Sequence, residues 1–98
     1  MRKLFPMQDP KHKPPQVAAS IKNEVRKYLK RERRKALPEG VDFWDFDCRV
    51  GPNREAPSAA HLAEVIPAID KAFEQRWEAI YIEILAKPGR RTRKPASS

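Results

Sequence analysis

Apolar residues recur at helical spacing within residues 14–38. The positions that share one helical face are Val17, Ile21, Val25, Tyr28, Leu29 and Ala36. Pro15 suits the first turn of a helix, where its missing N–H is not needed. Pro38 pushes Leu37 out of the helical region, and Gly40 completes the stop. We therefore predict a first helix that continues to about residue 36.

Two segments alternate apolar and polar residues, which is the period of a strand with one buried face. Residues 2–7 predict a short strand, in which Pro6 indicates an edge position or the end of the strand. Residues 41–50 predict a longer one. Its apolar face consists of Trp44, Phe46, Cys48 and Val50.

Residues 79–87 carry the clearest strand pattern in the chain, because β-branched residues occur throughout the segment. Its two faces consist of Ile80, Ile82, Ile84 and Ala86 on one side and Tyr81, Glu83, Leu85 and Lys87 on the other. The following Pro88-Gly89 pair predicts a turn.

The segment 58–77 supports two interpretations. Its helical stripe consists of Leu62, Val65, Ile66, Ile69 and Phe73, and Ser58 is a candidate N-cap. Pro67 inside such a helix would cost about 3 kcal/mol, so the helix must bend or begin there. We predict a helix over residues 67–75. Residues 58–66 are either its first part or an extra strand that pairs with the preceding one.

The resulting order is β-α-β-(β)-α-β, which predicts an α+β fold with two helices packed on one face of a three- or four-stranded sheet. With the optional strand, the order is that of the ferredoxin-like arrangement. We expect one domain over residues 1–88, followed by a disordered basic tail over residues 89–98. The predicted core consists of Val25, Leu29, Phe46, Ile69, Phe73, Ile82 and Ile84.

The length of 98 residues allows one compact domain with a modest core. No run approaches the roughly 20 apolar residues that a membrane span needs, and the N-terminus lacks the apolar segment of a secretory signal. A single cysteine, Cys48, cannot form an internal disulfide. These features predict a soluble cytoplasmic protein with no membrane association.

Charge is distributed unevenly along the chain, whose formal net charge is +8. Residues 1–38 hold twelve Lys and Arg against three Asp and Glu. Residues 39–83 are acidic, with four Lys and Arg against ten Asp and Glu. Residues 84–98 are basic, with five Lys and Arg and no Asp or Glu. A basic front and a basic tail on either side of an acidic middle raise the expectation of a polyanionic partner.

Several segments together resemble a family of small bacterial proteins of about this length to which no activity is assigned. They are MRKLFPMQDPKHKPP, EVRKYLKRERRKALPEGVDFWDFDCRVG and YIEILAKPGRR, and the similarity spans nearly the whole chain. The resemblance implies a bacterial cytoplasmic protein and implies no site residues.

The strongest candidate site is a set of cations on the first helix and in the tail, dense enough to neutralise several phosphates at once. Its members are Lys22, Arg26, Lys27, Lys30, Arg31, Arg33, Arg34, Lys35, Arg90, Arg91, Arg93 and Lys94. The alternative is a solvated surface whose last cations complement the helix dipole. The two basic regions reinforce each other only if they lie on one side of the fold, which the sequence does not show.

Other chemistries are weaker in this sequence. Trp44, Phe46 and Tyr81 could stack on unpaired bases, but core packing is the simpler interpretation. Asp45 and Asp47, with Asp42 nearby, could bind Mg²⁺ or carry acid-base chemistry, but we favour a solvated or cross-strand salt-bridged face, with Arg49 beside them and Lys87 on a neighbouring strand.

Cys48 is expected to be a small buried hydrophobic residue. Neither His12 nor His61 lies in a recognisable catalytic motif, and one histidine with one cysteine is too few for a zinc site. We predict no catalytic residue, no metal site and no cofactor.

The sequence therefore favours a non-enzymatic accessory protein that binds nucleic acid, RNA or the ribosome ahead of duplex DNA. One alternative is a protein interaction module whose basic helix meets an acidic partner, and another is a small enzyme that uses the aspartate cluster. The oligomeric state is left open.

Overall fold

The computed structural model describes residues 1–90 as six elements. In chain order they are β1 (Arg2–Pro6), α1 (Pro14–Arg33), β2 (Phe43–Gly51), β3 (Ser58–Ala60), α2 (Leu62–Glu74) and β4 (Ala79–Gly89). The predicted α+β class and the order with the optional strand are confirmed. Residues 91–98, which include most of the predicted tail, lie outside the described residues.

The four strands form one antiparallel sheet in the order β1-β4-β2-β3. β4 is the longest strand and lies next to both β1 and β2, while β1 is an edge strand, as Pro6 indicated. The parallel strands β1 and β2 flank β4, so each half of the chain forms a split β-α-β unit. The order differs from the ferredoxin-like one, in which the first and third strands are central, because β2 and β4 are central here.

Both helices cover the same face of the sheet and bury the apolar side of its two central strands. The fully buried side chains are Ile69, Ile80, Ile82, Ile84, Val25 and Val65. The predicted core is confirmed except at Phe73, which is only half-buried at the rim. Strand alternation and helical spacing located the core because each element buries a single face.

α1 ends earlier than predicted, and this places its last cations outside the helix. The helix stops at Arg33, and the N–H groups of Arg34 and Lys35 form shorter-range bonds to the carbonyls of Arg31 and Glu32. The Lys35 carbonyl accepts a hydrogen bond of 2.9 Å from the Trp44 indole N–H. This contact with β2 satisfies a carbonyl that the helix leaves unbonded, and Ala36, which the spacing placed on the buried helical face, is exposed.

Residues 58–66 contain both structures that the sequence left open. Ser58 is not an N-cap but begins β3, and α2 starts at Leu62 with His61 as its N-cap. The Glu64 side chain accepts a hydrogen bond from the His61 N–H at 3.3 Å, which stabilises this start. Pro67 lies inside α2, on its exposed side. The carbonyl four residues earlier has no N–H to bond there, but water can reach it.

The predicted turn at Pro88-Gly89 is wrong, because β4 continues to Gly89 opposite Phe43. The Ile84 N–H donates to the Met1 carbonyl at 2.7 Å, so the backbone groups of Ile84 point towards β1. By strand alternation, those of Pro88 point the same way, beyond the end of β1. The missing N–H of Pro88 therefore removes no hydrogen bond between strands.

The C-terminus of α2 holds Arg76 in a left-handed conformation, with φ at 57°. The Arg76 and Trp77 N–H groups bond to the carbonyls of Phe73 and Ala72, which is the Schellman arrangement that glycine usually occupies. Arg76→Gly should therefore raise the free energy of unfolding by about 1 kcal/mol. Urea unfolding would measure this. Gln75→Gly, at a position of the same turn where φ is −82°, should instead be destabilising, and a destabilised Arg76→Gly protein would contradict the interpretation.

Candidate polyanion-binding surface

The outer side of α1 carries cations that have no carboxylate partner within residues 1–90. Arg26, Lys27 and Lys30 lie on consecutive turns, and Arg34 follows at the helix end; all four are exposed. A helix rises about 1.5 Å per residue, so these cations extend over roughly 12 Å. Their charges are available to an external anion because no described acidic side chain neutralises them.

Two of the predicted cations are already paired within the protein. Lys22 is half-buried and forms an ion pair with Asp70 of α2, so it joins the two helices. Lys35 contacts Glu32 at 2.7 Å, and Glu32 is only 9% exposed. A buried carboxylate needs such a partner, because an unpaired buried charge is strongly unfavourable. Lys22 and Lys35 therefore have partners within the protein, and we do not count them among the unpaired cations.

Arg31 and Arg33 lie beside aromatic rings of the domain. The Arg31 guanidinium is 5.8 Å from the centre of the Tyr28 ring, and that of Arg33 is 5.7 Å from the Phe46 ring. Both distances fall within the range of cation-π attraction. Both residues stay exposed and keep their charge, so these contacts restrain the side chains without neutralising them.

The fold brings the start of the basic tail to the same end of the molecule as the C-terminus of α1. The Trp44 indole ties β2 to Lys35, and the Asp42 N–H donates to the Gly89 carbonyl at 3.0 Å. The Arg90 guanidinium lies 3.9 Å from the position that a Cβ would take at Gly40, in the loop that follows α1. The sequence left this proximity open because it depends on how β2 and β4 pair.

We call this region the basic end. It consists of Arg26, Lys27, Lys30, Arg31, Arg33, Arg34 and Arg90. The other tail cations of the predicted site, Arg91, Arg93 and Lys94, lie outside the described residues, and their part in the surface stays a prediction.

The aspartates predicted as an alternative site lie on the face of the sheet opposite the helices. Lys87 contacts Asp47 at 2.6 Å and Asp45 at 3.8 Å, and the hydrogen bond to Asp47 raises the pKa of Lys87. Cross-strand pairing therefore accounts for both carboxylates. Residues 1–90 contain no group of three or more His, Cys, Asp or Glu side chains arranged to hold a metal ion.

Cys48 faces the helices and is 4% exposed, as the alternation predicted. Burial raises the pKa of its thiol, and the nearby charges of Asp47 and Asp45 act in the same direction. A thiol reagent should therefore label Cys48 slowly in native buffer and rapidly in denaturant. Rapid labelling of the native protein would show that the core opens at this strand.

The raised thiol pKa also predicts how stability changes with pH. The pKa of the Cys48 thiol is higher in the folded protein than in the unfolded chain. Its contribution to the free energy of unfolding is therefore fully present below the unfolded pKa of about 8.5. This contribution decreases as the pH rises above that value, because the unfolded chain then loses the thiol proton while the folded protein keeps it. Cys48→Ala should flatten this part of the pH profile.

The exposed aromatic residue of the sheet is not one of the three that the sequence suggested. Trp44 and Phe46 face the helices, and Tyr81 is buried on the open face, where its hydroxyl donates to Glu83 at 3.1 Å. Phe43 is instead 38% exposed. The alternating pattern indicated that Phe43 is exposed, because Phe43 shares its face of the strand with Asp45 rather than with Trp44.

Within residues 1–90, no helix is both long and apolar enough to cross a membrane. Comparison with curated proteins and with solved structures gives no match. Comparison with family models gives a match to a family of unknown function, DUF6172, over residues 1–96. Because this match covers nearly the whole sequence, including every element of the fold, the chain belongs to the DUF6172 family.

Proposed function

We propose that the basic end binds the phosphates of RNA, and that the protein acts as a non-enzymatic accessory of RNA or the ribosome. The observation that carries the proposal is the gathering of seven cations from α1 and from the residues that directly follow α1 and β4, none of them in an ion pair with a described carboxylate. Like charges repel, so concentrating them at one end is unfavourable unless an anion is bound there.

The binding energy comes mainly from the release of counterions that condense on the nucleic acid. Arginine predominates at the basic end, and its planar guanidinium can donate two hydrogen bonds to one phosphate. Such contacts fix position and carry no sequence information, which base-edge contacts would have to supply. The proposal is therefore for binding that is largely independent of sequence.

Fluorescence anisotropy of a labelled mixed-sequence RNA measures this binding directly. We expect micromolar or weaker affinity that decreases steeply with salt. If about four to six phosphates are neutralised, log K should change with log salt concentration with a slope of about −3 to −5. Polyglutamate of equal charge should compete poorly, because its carboxylates lack the phosphate spacing. Absence of binding at about 50 mM salt would rule the proposal out.

A further inference from the structure

Phe43 occupies the first position of β2, on the face of the sheet that the helices do not cover. Its ring lies flat against the backbone of Gly89 on the neighbouring strand. A Cβ built at residue 89 would lie 2.7 Å from both Cδ2 and Cζ of Phe43, so only glycine allows this contact. One face of the ring is thus held by the strand, while the other contributes to the 38% exposure of the residue.

A large aromatic ring that is fixed on one face and open on the other is suited to stacking against a second flat ring. Nucleobases provide such a surface, and stacking of this kind contributes to binding whatever the base is. The exposed Phe43 ring is also not part of the hydrophobic core, which lies between the sheet and the helices on the opposite side.

Arg90 is the cation that a nucleotide at Phe43 would use, because Asp45, on the same face as Phe43, is already paired with Lys87. Arg90 directly follows Gly89, which pairs with Phe43 across the sheet, and neighbouring strands are about 5 Å apart. The Asp42 N–H bonds to the Gly89 carbonyl and holds the two strands together at this point. The Arg90 guanidinium lies towards the loop after α1, on the other side of the sheet from Phe43, so a strand that passes around the end of the sheet could place a phosphate on Arg90 and a base on the Phe43 ring.

We propose that Phe43 stacks on an unpaired base, so that the nucleic acid bound at the basic end is single-stranded rather than duplex. This inference rests on the proposed function and adds the class of ligand to it. In a duplex the bases are stacked inside the helix and cannot reach a ring on the protein surface. The cations bind the backbone of either form, whereas Phe43 distinguishes between them.

The test compares Phe43→Leu and Phe43→Trp with the unmodified protein. The probes are a labelled single-stranded RNA without secondary structure and a blunt-ended RNA duplex with the same number of phosphates. Phe43→Leu keeps the apolar volume and loses the aromatic face, so single-strand affinity should decrease at least about fivefold. Phe43→Trp should bind as well as Phe43 or better. Leu37→Ala is the matched control, because Leu37 is 44% exposed in the loop beside Arg90 and has no ring.

Salt dependence separates the inference from the function on which it rests. Phe43→Leu should weaken binding equally at every salt concentration and leave the slope of log K unchanged, because stacking releases no counterions. Affinity for the duplex should not change. If Phe43→Leu binds single strands as well as the unmodified protein, the stacking inference is wrong while phosphate binding stands. If the unmodified protein binds neither probe at about 50 mM salt, both are wrong.

Discussion

Replacing Ile82 with alanine should lower the free energy of unfolding by about 2 to 5 kcal/mol. Ile82 is fully buried at the centre of β4, between Lys3 of β1 and Val50 of β2, and its side chain lies beneath both helices. Truncation removes three methyl or methylene groups from a position enclosed by the two neighbouring strands and by the core beneath the helices. The cavity cannot collapse easily, because strands on both sides hold the backbone of β4 in place.

Urea unfolding followed by circular dichroism would measure this change. Leu4→Ala on edge strand β1 is the matched control, because it also removes three carbon atoms but starts from an exposed side chain. It should cost less than about 1 kcal/mol. The slope of the unfolding free energy against urea concentration should be the same for both variants if they unfold from the same compact state. Equal and small effects at Ile82 and Leu4 would mean that the assignment of the buried face is wrong.

The sequence predicted most of the fold because each long element buries one face and exposes the other. Alternation located β2 and β4, and helical spacing located the core of α1, since in both cases the burial pattern is written in consecutive residues. The element boundaries were less predictable. α1 ends where Trp44, from another strand, bonds the Lys35 carbonyl, and that contact depends on the tertiary structure.

Two of the prolines were poor guides to structure in this chain. Pro67 lies on the exposed side of α2, where water can replace the hydrogen bond that it removes, and Pro88 lies beyond the end of β1, where its missing N–H removes none. In both cases the cost of proline depends on what lies opposite its missing N–H. A single sequence does not contain that information.

The sequence predicted which residues of the candidate site are basic, but not which of them are unpaired or lie on one surface. The Glu32–Lys35 ion pair lies within three residues and could have been anticipated, whereas the pairing of Lys22 with Asp70 required α1 and α2 to be neighbours. The approach of Arg90 to the loop after α1 required the β2–β4 register. The basic end therefore contains fewer helix cations than predicted, and it joins two regions that are far apart in the chain.

Replacing four of the unpaired cations should have the largest effect on binding. The four substitutions are Arg26→Gln, Lys27→Gln, Lys30→Gln and Arg34→Gln. Their side chains are exposed and form no described ion pair, so the fold should keep its stability. RNA affinity at low salt should decrease at least about tenfold. The slope of log K against log salt should become shallower by about one for each phosphate that the variant no longer neutralises.

A second fourfold variant controls for net charge. Lys11, Lys13, Lys71 and Arg76 are exposed cations near the other end of the sheet, and replacing them with Gln changes the net charge by the same amount. If long-range attraction alone governs binding, the two variants should behave alike. If the basic end is the site, the control should keep most of the affinity and nearly the whole slope.

The salt dependence of RNA binding by these two variants, measured side by side with the unmodified protein, is the most direct test of the account. We predict that the slope is about −3 to −5 for the unmodified protein, nearly the same for the control, and much shallower for the variant of the basic end. Equal slopes for the two variants, or binding by the unmodified protein that does not depend on salt, would contradict the claim that the basic end binds RNA phosphates.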